Sequence, residues 1–268
     1  MPESPILVTS RANARVKQLR AAFAGHARLS GGMVAIEGDN LLQEALRSGL
    51  PLKTIFLSER VSPPAWLPRA VELLLLAEDV FASAVDTQHP QGIAALLLPP
   101  RWQMPPTAAP NALFLVTAGL QDPGNLGTLI RSAEAFGATA VLTTPGTVSE
   151  WNQKALRASA GSVFRVPVVQ TNANQLLALK SQGVRLLAAV APQDGSESVA
   201  EVDLAQACAL LIGNEGAGLG VEWLALANQR ITIPMPGAVE SLNAAVAGSL
   251  LLYEASRQRT ARPLTTAL

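Results

Sequence analysis

The chain has 268 residues, enough for one large domain or two small ones with buried cores. Lys plus Arg and Asp plus Glu both total 20, which argues against wholesale polyanion binding and leaves a local basic patch open. Cys208 is the single cysteine and His26 and His89 lie far apart, so neither a disulfide nor a metal site is expected. Residues 1–20 lack the apolar core of a signal peptide, and no apolar run reaches about 18 residues, so the expectation is a cytoplasmic protein that does not enter a membrane.

In chain order, the spacing of Val16, Leu19 and Phe23 predicts a helix over 11–24. A strand (Met33–Glu37), a helix (Asn40–Ser48), a strand (Thr54–Leu57), an apolar run (Val71–Leu75) and a strand (Gly92–Leu98) follow. This half reads as a small α/β unit over 1–98. Residues 99–110, PPRWQMPPTAAP, hold five prolines and read as a linker. From 111 to 268 the alternation resumes. Strands are predicted at Leu113–Thr117, Ala140–Thr143, Arg165–Val169, Arg185–Val190, Ala209–Ile212 and Arg230–Ile233. Helices are predicted at Leu126–Phe136, Trp151–Ser159, Asn174–Ser181, Val221–Ala227 and Leu242–Arg257. That order implies a mostly parallel sheet covered by helices on both faces.

Three stretches carry the candidate chemistry. Residues 211–220, LIGNEGAGLG, follow a strand, but Gly216, Gly218 and Gly220 give G-x-G-x-G, and a dinucleotide fingerprint needs G-x-G-x-x-G near the start of its domain. A plain strand-to-helix turn is the competing reading. In QDPGNLGTLIRSAEAFG (121–137), Asn125 reads as the helix N-cap. Arg131 lies about 140° round the helix from the buried stripe headed by Leu126, either as a solvated arginine or as a phosphate contact. In ITIPMPGAVESLNAAVAGSLLLYEASR (231–257), Ser241 and Asn243 have the residue types of a helix start, and the helix after them is apolar on most sides.

Taken together, NLGTLIRSA (125–133), LLIGNEGAGL (210–219) and IPMPGAVESLNAAVA (233–247) resemble, in order, the three signature motifs of the SpoU-type (SPOUT) RNA 2′-O-ribose methyltransferases. KALRASAGSVFRVPV (154–168) resembles the stretch between that family's first and second motifs. The resemblance covers about 111–258. It implies an α/β domain with a parallel sheet tied in a deep trefoil knot, a feature no periodicity reveals. It further implies S-adenosylmethionine as methyl donor and no metal. By motif position, Gly213, Ile233 and Leu242 are expected to hold the donor. Asn125, Arg131, Glu215, Ser241 and Asn243 are expected at the reacting groups, with Glu215 alternatively bracing its turn.

TSRANARVKQLR (9–20), MVAIEGDNLLQEALRSG (33–49) and VDTQHPQGIAA (85–95) resemble the RNA substrate-binding domain of the family's rRNA-directed branch, a fold shared with some ribosomal proteins. Arg11, Arg15, Lys17, Arg20 and Arg28 lie together with no acid among them, as a solvated helix face or as phosphate contacts. The resemblance therefore implies an enzyme that methylates a ribose of structured RNA, ribosomal before transfer RNA, as a homodimer joined through the knotted domain. A non-catalytic RNA- or ribosome-binding protein on the same fold is the rival from another class.

Overall fold

The computed structural model describes residues 6–26, 31–68, 70–105, 111–193 and 195–261. Arg28 and the last five residues of the proline-rich stretch lie outside them. The chain divides into two compact units, one holding the chain up to Arg101 together with Trp151–Phe164, the other holding Trp102–Glu150 and the chain from Arg165 onward.

The first unit is built on five strands, β1 (Leu7–Val8), β2 (Val34–Glu37), β3 (Leu52–Ser58), β4 (Glu72–Leu76) and β5 (Ile93–Leu97), in the spatial order β1-β4-β3-β5-β2. β1, β4 and β3 run parallel, and β5 is antiparallel to both β3 and β2. Helices α1 (Ala14–Phe23), α2 (Asp39–Arg47) and α3 (Glu78–Ala82) complete it. Val16 and Leu19 of α1 pack with Phe56, Leu76, Phe81 and Leu96 in one apolar cluster, as the helical spacing requires. The short β1 and α3 carry too few residues to show a period, and the sequence reading passes over both.

Helix α5 (Gln153–Ser159) belongs to this unit although it follows two strands of the second. Its buried Gln153 donates from Nε2 to the carbonyl of Ala35 at 2.9 Å. At Gly161, φ is +88° and a Cβ would fall 2.6 Å from Cβ of Glu44, so only glycine fits there.

The second unit carries seven parallel strands in the order β10-β12-β9-β11-β6-β7-β8. They are β6 (Leu113–Thr117), β7 (Ala140–Thr143), β8 (Val168–Gln170), β9 (Arg185–Ala189), β10 (Glu197–Ser198), β11 (Cys208–Ile212) and β12 (Gln229–Thr232). β6 and β11 are buried along their whole length, which explains their unbroken apolar sequences. β8 starts at Val168, not at Arg165: Ser162–Phe164 form a 3₁₀ turn, and Pro167 has no N–H to give the ladder.

Helices α4 (Pro123–Ala135), α6 (Ala173–Ser181), α7 (Val221–Leu226) and α8 (Ala244–Ala261) belong to the same unit. Two helix starts differ from expectation. Asp122, not Asn125, caps α4: its carboxylate accepts from Asn125 N at 2.8 Å, and Pro123 takes the first helical position. α8 begins at Ala244, with Asn243 Oδ1 accepting from the N–H groups of Ala245 and Val246, and Ser241 accepts from no backbone N–H among the described residues. α8 returns from the β12 side to lie on α4 and β11. A Cβ at Gly248 would fall 2.4 Å from Leu129 and 3.5 Å from Ile212, and the Ser132 and Ser249 hydroxyls share a 2.7 Å hydrogen bond. The smallest residue therefore sets how closely the two helices approach.

Candidate active site

The site sits at the C-terminal ends of β6, β9, β11 and β12, where parallel α/β sheets characteristically bind ligands. After β11 the chain turns through 213–219. Asn214 and Gly218 exchange backbone hydrogen bonds at 3.0 and 2.9 Å, closing a small hairpin. Gly218 supplies the positive φ of +67°. Asn214 Oδ1 accepts from Gly216 N, while its Nδ2 donates to the carbonyl of Gly119 at 2.9 Å, tying this loop to the one that leaves β6. Gly213 is needed for a different reason. A Cβ there would lie 2.1–2.4 Å from backbone atoms of Gly218 and Leu219, so the hairpin folds back onto its own start.

Side chains from all three motifs meet beside this hairpin. Asn125 Nδ2 donates to Glu215 Oε1 at 2.6 Å, and Asn243 Nδ2 donates to Asn125 Oδ1 at 3.2 Å. Asn125 is available for this because Asp122 has taken over the capping role. Its carboxamide lies between an acceptor and a donor, so both of its ends are oriented. Asn243 Oδ1 is held by the first turn of α8. Of the three side chains, the Glu215 carboxylate has the most acceptor capacity left for a further partner, whereas Asn125 Oδ1 already accepts from Asn243 and Asn243 Oδ1 from two backbone N–H groups.

A cavity of about 430 Å³ opens next to the trio. Gly213, Glu215, Ser241, Leu242 and Ile233 line it, with Ile212, Leu219 and Ile231 adding apolar wall. Thr232 also lines it, and its buried hydroxyl has no hydrogen-bond partner among the described residues. Apolar walls with exposed backbone groups and the hydroxyls of Thr232 and Ser241 suit a flat heteroaromatic ring and its attached polar chain.

Of the residues singled out in the sequence, Asn125, Glu215 and Asn243 are in mutual contact, and Gly213, Glu215, Ser241, Ile233 and Leu242 share the cavity. Arg131 stands apart from both groups. It is exposed on α4 and has no hydrogen bond or ion pair among the described residues. In the first unit, Arg11 pairs with Asp79 at 2.9 Å and Arg15 with Glu72 at 3.0 Å. Arg20 donates to the carbonyl and hydroxyl of Ser83. Lys17 is exposed without a partner among the described residues. The acids come from 57 and 68 residues away, which is why the local sequence reads as uncompensated. The Asn214 latch and the Thr232 hydroxyl escape the sequence reading. Only the motif's own Asn-Glu pair hints at the first, and nothing local hints at the second.

Comparison with known proteins accords with this geometry. The SpoU rRNA methylase family model matches residues 112–253, and the MRM3-like substrate binding domain matches 13–95. A 23S rRNA guanosine 2′-O-methyltransferase of Bacillus subtilis, RlmP, is 35% identical over 92% of this chain and 97% of its own. A 23S rRNA uridine 2′-O-methyltransferase of Streptomyces viridochromogenes is 30% identical over 97% and 95%. The crystal structure of the SpoU methyltransferase AviRb from Streptomyces viridochromogenes, in complex with AdoMet, superposes with a TM-score of 0.80 at 28% identity, covering 94% of this chain and all of that one. The chain belongs to the SpoU rRNA methylase family.

Proposed function

We propose that the chain transfers the methyl group of S-adenosylmethionine to a ribose 2′-hydroxyl of large-subunit ribosomal RNA. The observation that carries this reading is the convergence of Asn125, Glu215 and Asn243 from three separated segments beside a cavity suited to the donor. The fit of the donor rests on the apolar walls, the Thr232 hydroxyl and the backbone cradle that Gly213 leaves open. Gly213, Ile233 and Leu242 would hold it. When bound, the donor supplies an electrophilic methyl on a positively charged sulfur, with a neutral thioether as leaving group.

The remaining steps fall to side chains of this chain. A ribose hydroxyl attacks well only as its proton is drawn away. The Glu215 carboxylate is the strongest acceptor of the trio and the one that lines the cavity, so it accepts the hydrogen bond of that hydroxyl, and Asn125 fixes the angle at which it does so. Ser241, exposed on the cavity wall, adds a hydroxyl that can orient the ribose. A guanidinium donates and does not accept, so Arg131 serves as a clamp for a substrate phosphate and for developing negative charge.

The substrate-binding domain over 13–95 favours ribosomal over transfer RNA, and the two full-length relatives described above carry 23S rRNA activities in their names. Lys17, with Arg11 and Arg15 once they exchange their surface partners, would supply phosphate contacts, and Arg20, half-buried with its bonds to Ser83, would join them only on leaving those bonds. Exposed ion pairs are worth at most about 1 kcal/mol, so they yield readily to a phosphate. Homodimerisation is supported by Val246, Leu250 and Tyr253, exposed by 48%, 44% and 52% along one face of α8. The return of α8 across β11 supports the knotted path, and a ribosomal RNA substrate supports a cytoplasmic place of action. The test is transfer of labelled methyl from S-adenosylmethionine to a 23S rRNA transcript. Label expected in an alkali-resistant dinucleotide marks the ribose, whereas label on a base, or none, sinks the reading.

A further inference from the structure

A second pocket, of about 530 Å³, opens on the same edge of the parallel sheet, at the C-terminal ends of β7 and β8. The loop leaving β7 gives one wall, with Thr147 and Glu150, and the start of α6 gives the other, with Thr171, Asn172 and Gln175. It adjoins the active site through Gly119. The carbonyl of Gly119 accepts from Asn214, and its N–H donates to Thr144 Oγ1 at 3.1 Å, on the wall of the second pocket.

The chemistry of this pocket is specific. Asn172 Oδ1 accepts from Gln175 N at 3.0 Å, and Gln175 Oε1 accepts from Asn172 N at 3.1 Å. This capping box engages both amide oxygens with backbone N–H groups and leaves each side chain its NH₂ group as a donor. Thr171, 4% exposed, lines the pocket, and its hydroxyl has no hydrogen-bond partner among the described residues. An unsatisfied buried hydroxyl costs free energy unless something completes it. None of the described lining residues is Lys, Arg or His, and Glu150 contributes a carboxylate, so the pocket is poorly made for a phosphate. Donors around a polar, uncharged floor match the carbonyl-bearing edge of an unstacked nucleobase, the usual target of sequence-specific RNA recognition.

We propose that this pocket binds a base flanking the methylated nucleotide, read by Thr171, Asn172 and Gln175, and so contributes to the choice of site. The inference rests on the RNA-methylating reading above. Strands are about 4.8 Å apart, so β8 lies roughly 10 Å from β6, within reach of a neighbouring nucleotide.

Thr171→Val, Asn172→Asp and Gln175→Glu test it. The first is isosteric, and the other two keep the capping box while removing a donor. Affinity for an unmodified large-subunit rRNA transcript should fall about tenfold in each, with melting temperature and S-adenosylmethionine affinity unchanged. Base-selective chemical probing should show one base, protected by the wild-type chain, becoming reactive with each variant. Wild-type affinity and protection in all three would overturn the proposal. So would a drop of about one in the slope of log affinity against log salt for Thr171→Val, which would mark a phosphate contact. Methyl transfer by the wild type with all variants binding normally removes the pocket and leaves the activity. A wild type that binds the transcript without transferring methyl, beside weakened variants, removes the activity and leaves the pocket.

Discussion

Asn125 and Glu215 are 90 residues apart in sequence and joined by a 2.6 Å hydrogen bond, with Asn125 as donor. The bond makes two otherwise ordinary turns into parts of one site. In Asn125→Asp the donor is lost and two carboxylates face each other. Methyl transfer is expected to fall about 10²–10³-fold, the usual effect of losing one oriented polar group near developing charge. Glu215 is exposed and Asn125 half-buried, so the folding cost should stay near 1 kcal/mol or less. Single-turnover transfer beside a thermal melt separates the two effects, and a wild-type rate in Asn125→Asp would remove Asn125 from the mechanism.

Arg131 calls for a different experiment, because no hydrogen bond or ion pair among the described residues holds it. Arg131→Ala should leave the melting temperature and S-adenosylmethionine affinity close to wild type, weaken RNA binding by no more than one phosphate contact, and lower kcat by about 10²-fold or more. Arg131→Lys should recover little, since a point charge cannot replace a planar fork on a phosphate. Normal turnover by Arg131→Ala with RNA and donor bound would show that the residue is a solvated surface arginine.

How far the sequence discloses this molecule depends on the range of each interaction. Strands such as β6 and β11 are legible because burial on both faces demands continuous apolar residues, and α4 because its stripe repeats every turn. The N-cap of α4 is misjudged because Asp122 and Asn125 both have capping chemistry; Pro123 at the first helical position sets the cap at Asp122, which leaves the Asn125 side chain for the distant Glu215 and Asn243. The apparent basic cluster of α1 illustrates the same limit: its acids arrive on β4 and α3. Only the order of three motifs, none decisive alone, shows that these segments share one site.

Within the 213–219 hairpin, two glycines should respond oppositely. Gly213→Ala puts a methyl into the backbone of Gly218 and Leu219, so the loop must open. Affinity for S-adenosylmethionine should drop at least about tenfold, with a cost in stability of roughly 1–3 kcal/mol from the overpacked contact. At Gly216 the nearest atom to a new Cβ is Asn214 Oδ1 at 3.7 Å, an ordinary contact, so Gly216→Ala should bind the donor almost normally. Titration calorimetry on the pair decides the matter: equal affinities would mean that the hairpin is not part of the donor site.

The outer face of α8 predicts an oligomeric state. Leu250→Glu places a charge in the middle of the apolar row formed with Val246 and Tyr253. If that row is the dimer interface, light scattering should report a dimer for the wild type and a monomer for Leu250→Glu, with little loss of helicity because the position is already 44% exposed in the single chain. A monomeric wild type, or a variant dimer of undiminished stability, would place the interface elsewhere or remove it.

Cys208, the first residue of β11, gives the last prediction, on alkaline stability. Burial pushes its thiol above the ordinary value of 9.0, and the nearby Arg259 guanidinium, 3.5 Å from the sulfur, opposes this only in part. Arg259 is held in place by carbonyls of Leu204 and Gln206 at 2.9 Å, and burial lowers its own pKa. In the unfolded chain the thiol ionises near its ordinary value, whereas in the fold it stays neutral to higher pH. The contribution of Cys208 to stability is therefore complete below about pH 9 and is lost as the pH rises further, by at most about 1.4 kcal/mol per unit. Denaturant titrations from pH 8 to 10.5 should show this decline in the wild type and a shallower one in Cys208→Val, which keeps the volume and removes the titration. The native thiol should also resist disulfide-exchange reagents at pH 8 and react only on unfolding, because Cys208 has no exposed surface. Rapid native labelling, or identical alkaline slopes in the two proteins, would contradict the assignment.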